Sequence, residues 1–138
     1  MLKKVNDVKT FIFGGKAEFT IKNEVSNNKY KYKVSRSKTI ENVFFVKVKV
    51  GNDWQYAGFL NIKNNNANYG VGKKGTMDAT HPAIKGLMYA IHKGHAALPE
   101  PMIMFHHGKC ACCGRKLDDD DSIDRGIGPV CWKKYVVK

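Results

Sequence analysis

The feature that most constrains this chain is a repeated period of two. "KAEFTIK", "KYKYKVSRSK" and "VFFVKVKV" each alternate polar with apolar residues, aromatic-rich "WQYAGFLNI" follows, and Asn, Gly and Ser clusters separate them. Successive side chains of a strand point to opposite faces, so residues 1–76 are read as strands of an antiparallel meander. On the second of these strands Lys29, Lys31 and Lys33 fall on one face and Tyr30, Tyr32 and Val34 on the other. On the third, Lys47 and Lys49 oppose Val46, Val48 and Val50. If the two strands pair, one sheet face becomes rich in lysine.

A single helix is expected next. Ile84, Leu87, Met88 and Ile91 are spaced i, i+3, i+4 and i+7, Thr80 or Asp78 can cap the start, Pro82 suits the first turn and Gly94 the stop. The apolar stripe must cover the other face of the sheet. "ALPEP" breaks the helix, and "MIMF" is expected to supply one more strand leading to His106.

The charge balance bears on partners. Of 24 basic residues 21 are Lys, against 12 acidic ones, for a formal net charge of +12. Lysine is a mobile point charge, whereas arginine is the usual reader of guanine edges and phosphate forks. That balance favours attraction to a nucleic-acid backbone over base reading, unless the charge is only compositional. Residues 1–105 hold 17 of the basic and 7 of the acidic side chains, so the attraction lies in the sheet-forming part. Lysine interleaved with aromatics, as in "KYKYK", suits single-stranded nucleic acid. The period of two, however, puts Tyr30 and Tyr32 on the face opposite the lysines, in the core.

"HHGKCACCG", residues 106–114, gathers two histidines and three cysteines, and Cys131 follows "GIGP" 18 residues after Cys113. Cys110 and Cys113 have the C-x-x-C spacing of a tight knuckle that turns two thiolates onto one metal. Pro129 would start a helix and place Cys131 in its first turn, where the dipole favours a thiolate. Three sulfurs require a fourth ligand in a closed tetrahedral zinc site, and His106 or His107 must supply it. Cys112 is left as a spacer. A redox C-x-x-C lacks its βαβ context here, and disulfides do not suit a reducing compartment.

The pattern C-x-x-C-G-R-x-L, then S-I, then G-I-G-P-x-C runs from Cys110 and Cys113 through Gly114, Arg115, Leu117, Ser122, Ile123 and Gly126 to Cys131. It resembles a small zinc-finger domain of unknown function common in phage and prophage proteins. In that family a histidine precedes as H-x-G-x-C, which matches His106, Gly108 and Cys110. The resemblance therefore implies His106, rather than His107, as fourth ligand beside Cys110, Cys113 and Cys131. It covers about a quarter of the chain. The acidic "DDDD" stands where a short Thr/Pro/Glu-containing turn is common in the family. Members fused to helicase-like proteins hint at nucleic acid without assigning an activity.

Other motifs carry less. "GVGKKG" matches G-x-G-x-x-G and its inner G-K-K-G resembles the clamp loop of KH domains, but neither has its flanking elements, so it is read as a glycine-rich loop. His81, His92 and His95 are read as polar helix-end residues, and Asp118 to Asp121 as a solvated turn rather than a catalytic metal cluster. A His-Asn-His nuclease would need a His or Asn in the final helix, where "CWKKYVVK" has none.

The sequence thus predicts an α+β protein: a basic antiparallel sheet with one packed helix over residues 1–101, and a treble-clef-like zinc-finger module over 102–138. The expected role is non-enzymatic. A structural Zn2+ would be held by His106, Cys110, Cys113 and Cys131. Lys29, Lys31, Lys33, Lys47 and Lys49 would bind nucleic acid, with an acidic host protein, met by an inhibitor or modulator, as the rival partner. The N-terminal "MLKKVNDVKTFIFGG" has only a three-residue apolar run and nothing later reaches membrane-spanning length, so the expected location is the cytoplasm, without membrane partners.

Overall fold

A computed structural model describes residues 3–93 and 96–136 of the chain. Seven strands form one antiparallel sheet: β1 (Lys3–Lys4), β2 (Lys16–Asn23), β3 (Lys29–Arg36), β4 (Val43–Val50), β5 (Asp53–Lys63), β6 (Asn66–Gly70) and β7 (Met102–His106). The spatial order is β1-β7-β2-β3-β4-β5-β6. Strands β2 to β6 are the expected meander. The last strand returns to pair with β2 and β1, so Met104 lies opposite Ile21 and His106 opposite both Phe19 and Lys3. The strand that sequence assigns to the C-terminal module is therefore part of the sheet.

The alternation is carried through in burial. Ala17, Phe19 and Ile21 of β2, Tyr32 and Val34 of β3, and Phe44, Val46 and Val48 of β4 all point into one core. Helix α2 (Pro82–Lys93) covers this face with Ala83, Ile84, Leu87, Ala90 and Ile91, and Met88 packs at its margin. The Tyr32 hydroxyl donates to the Ala83 carbonyl at 2.8 Å, which satisfies its one buried polar atom and ties sheet to helix. Tyr30 is only partly buried at the core edge. The α2 start differs from expectation: Asp78 accepts from Thr80, while the His81 ring, through Nδ1, accepts the Ala83 N–H at 3.1 Å and caps the helix. His92 is exposed, and Gly94 and His95 lie outside the described residues.

One helix was not expected among the strands. Helix α1 (Val8–Ile12) is capped by Asp7, whose carboxylate accepts the Thr10 N–H at 3.3 Å, and it buries Val8, Phe11 and Ile12 against α2 and the sheet. It ends in the Gly14–Gly15 turn. Lys16 N–H donates to the Ala111 carbonyl at 2.7 Å there, and a Cβ on Gly14 would stand 2.7 Å from that same oxygen. Only glycine lets the C-terminal module come this close.

The module itself is a hairpin followed by short helices. Lys109 bridges to Lys116, Leu117 N–H donates to the Gly108 carbonyl, and α3 (Asp120–Arg125) and α4 (Pro129–Cys131) follow, the latter continuing as a π-helical turn over Trp132–Val136. Asp119 of the acidic run caps α3, accepting from Ser122 N–H at 3.0 Å. Gly126 closes α3 with φ of 74°, and a Cβ there would lie 2.5 Å from the Phe11 ring. Leu117, Ile127, Ala111 and Cys110 join the same core as the sheet residues. Among the described residues no helix is long and apolar enough to cross a membrane.

Candidate metal centre and lysine-rich sheet face

The Sγ atoms of Cys110, Cys113 and Cys131 all lie within 4.8 Å of one another. With zinc–sulfur bonds of ~2.3 Å a tetrahedral site needs sulfurs roughly 3.8 Å apart, so the cluster accommodates such an ion with a small contraction. The hairpin supplies two of the sulfurs and the first turn of α4 the third, as the spacing predicts. Backbone N–H groups of Gly128 and Cys112 donate to Cys110 Sγ at 3.3 and 3.4 Å. A hydrogen bond from the Cys112 thiol, aided by the N–H groups of Gly128, Cys113 and Cys112, draws the Cys110 thiol down to about 4. Burial, with hydrogen bonds and charge from Cys113 and Cys110, holds Cys131 up at about 12. Cys110 is thus the thiol of the cluster most easily ionised, whereas Cys131 is held toward its protonated form. Cys112 is more than a spacer: it is half-buried, and donating to Cys110 pushes its own thiol far upward.

The fourth ligand expected from the motif is placed elsewhere. His106 is fully buried, stacked on Phe11 with ring centroids 5.7 Å apart, and both its ring nitrogens are taken. Nδ1 accepts the Gly108 N–H at 3.0 Å, so Nε2 carries the proton and donates to the Ile123 carbonyl at 2.6 Å. Burial lowers its pKa and keeps the ring neutral. It is a clasp between β7, the hairpin and α3, not a member of the sulfur cluster. His107 is not a member either; its Nε2 lies 3.1 Å from Thr20 Oγ1 on the sheet. The three cysteines instead line a cleft of about 490 Å³ together with Leu117, Asp118, Asp119, Pro129 and Val130.

The second site is the sheet face turned away from α2. Alternation puts Lys29, Lys31 and Lys33 of β3 and Lys47 and Lys49 of β4 on it, and register brings Lys33 opposite Lys47 and Lys22 opposite Lys29. Lys31, Lys33 and, from the hairpin, Lys109 all reach the Glu18 carboxylate, at 3.6, 3.9 and 3.9 Å. Three ammonium groups on one carboxylate leave a local excess of positive charge. Lys16, Glu18, Lys33, Lys47 and Lys109 line a shallow cleft of about 270 Å³ between the sheet and the hairpin.

Three aromatics missed in the sequence share this face. Trp54, Tyr56 and Phe59 of β5 pair with Lys49, Lys47 and Phe45, and Lys33 Nζ sits 4.3 Å from the Trp54 ring centroid. The signal was present as the "WQY" alternation, but nothing in it distinguishes the outer face from the core. A register shift beside Val46 and Lys47 then buries both Ala57 and Gly58, interrupting the pattern.

Residues 105–136 match a family of unknown function, DUF6011, a stretch that holds His106 and all four cysteines. No curated protein and no solved structure matches the chain.

Proposed function

We propose that this is a small phage-type accessory protein in which a structural zinc ion stiffens the C-terminal module, and the lysine-rich sheet face binds nucleic acid without sequence preference. The observation that carries the reading is the Lys33–Lys47 pair. Like charges directly opposite on neighbouring strands oppose folding, and here they recur at Lys22–Lys29, an arrangement that suits an anionic partner. The cleft beside them, with four lysines and one glutamate, offers phosphates a set of point charges that carry no base information.

The zinc reading rests on three convergent thiols, a donor set that suits a soft cation. Cys110, Cys113 and Cys131 would hold the ion, and His106 acts as the clasp that docks the module on the sheet. The proposed setting is cytoplasmic, where the cysteines stay free of disulfides. Neither role needs catalysis, and the protein is proposed to be non-enzymatic.

Two measurements test this. Protein purified without chelator should contain one zinc per chain, and Cys113→Ser should abolish it while Cys112→Ser largely retains it. Titration with labelled DNA and RNA at low salt should show binding that the triple variant Lys31→Gln, Lys33→Gln, Lys47→Gln loses while it still folds and retains zinc. If the wild type binds no nucleic acid at low salt, the lysine face is assigned instead to docking on an acidic protein surface.

A further inference from the structure

The outer face holds a second cleft that phosphate binding leaves unexplained. It is open, has a volume of about 540 Å³, and is walled by Phe45 and Tyr56, whose rings lie 6.1 Å apart at 63°. Its rim carries Lys47 together with Lys73 and Lys74 of the "GVGKKG" loop. Among the described residues no carboxylate lines it. The loop has no dinucleotide-binding context, since α2 begins only at Pro82, and it is fastened beside the cleft instead. Thr76 N–H donates to the carbonyls of Tyr56 and Ala57, both at 3.1 Å, and its hydroxyl donates to the Tyr56 carbonyl at 2.9 Å. These bonds anchor the base of the loop on β5 and keep the two lysines at the rim of the cleft.

This cleft adjoins the basic one. Ser35 and Lys47 line both, so a single track runs from the hairpin at Lys109, over Lys33 and Lys47, to Tyr56 and Lys74. A duplex can use only the cationic half of such a track, because its bases are stacked on one another. An unpaired strand can use both halves, with phosphates on the lysines and a base against an aromatic ring.

We propose that the Phe45–Tyr56 cleft receives a base of single-stranded nucleic acid while Lys47, Lys73 and Lys74 hold the adjoining phosphates, so that the face selects unpaired DNA or RNA over duplex. The inference rests on the nucleic-acid reading above and names its substrate. Stacking of one base is sequence-tolerant, which keeps the binding non-specific, and it is worth enough to favour single strands by about tenfold or more.

The test is a fluorescence-anisotropy titration of the full chain with oligo-dT, oligo-rU and a duplex of equal length, at one fixed low salt concentration. The wild type should bind a single strand about tenfold or more tightly than the duplex. Tyr56→Leu, which keeps the bulk but removes the π face, should bring single-strand affinity down to the duplex value and leave the duplex value unchanged, whereas Tyr56→Phe should keep the preference. A preference shown by both oligonucleotides, or by one, supports the cleft and identifies the backbone it accepts. Equal affinity for single strand and duplex, or a preference that survives Tyr56→Leu, overturns this inference and leaves phosphate binding by the lysines standing. Absence of binding to all three probes overturns both.

Discussion

The two faces of the sheet are built from alternate residues of the same strands, and they obey different rules. On the inner face every position of β2 and β3 from Ala17 to Ile21 and from Tyr32 to Val34 meets an apolar neighbour, and α1 and α2 seal it. Folding alone accounts for those residues. On the outer face Lys33 stands against Lys47, Lys22 against Lys29, and three lysines crowd one glutamate. The two facing lysine pairs do nothing for folding. The comparison separates what makes this chain fold from what it has to offer a partner.

The largest effect should therefore come from the inner face. Leu87 has no exposed surface, and Leu87→Ala should cost ~2–5 kcal/mol in a chemical unfolding curve while leaving the affinity of the folded fraction for nucleic acid unchanged. A cost under ~1 kcal/mol would mean that α2 does not seal the core.

A smaller effect is expected at the clasp. Burial lowers the His106 pKa in the folded chain, so the unfolded chain takes up its proton first as pH falls. The stability that His106 gives is present above its unfolded value of ~6.5 and is lost as pH drops from there toward the lowered folded value, at up to about 1.4 kcal/mol per pH unit. Unfolding midpoints of the wild type and His106→Gln, compared from about pH 7.5 to about pH 5, should converge as the pH falls. Because the thiolates are common to both proteins, their own acid sensitivity cancels in the difference. Midpoints that stay equally far apart would show that no proton is linked to the clasp.

The smallest stability effect, and the opposite sign, belongs to the outer face. Lys47→Glu places a carboxylate opposite Lys33 and should leave stability unchanged or raise it by ~0.2–1 kcal/mol, while weakening nucleic-acid binding. Glu18→Gln should tighten binding, since it removes the carboxylate that Lys31, Lys33 and Lys109 share. A loss of stability in Lys47→Glu would make the lysine a folding residue and erase the contrast between the faces.

Much of this was legible in the chain because a local rule decided it. The period of two fixed strands β2 to β4 and their faces, the i, i+3, i+4 spacing fixed the buried stripe of α2, and the C-x-x-C spacing with "GIGP" brought Cys110, Cys113 and Cys131 together. What was not legible depends on partners distant in sequence. Helix α1 spans five residues, too few to display a period, and its "VKTFI" is rich in residues that favour strands. The place of His106 is set by a carbonyl 17 residues later and by the Phe11 ring, neither of which the H-x-G-x-C spacing encodes. Trp54 and Tyr56 look like core residues until the register shift in β4 and β5 shows which face they occupy.

The claim that the outer face exists for a polyanion is tested most directly by the salt dependence of wild-type affinity for an oligonucleotide. Each phosphate neutralised on a single strand contributes about −0.7 to the slope of log affinity against log salt, so engagement of the five lysines from Lys29 to Lys49 on this face predicts a slope of about −3.5. A slope near zero, with affinity unchanged by salt, would contradict the account.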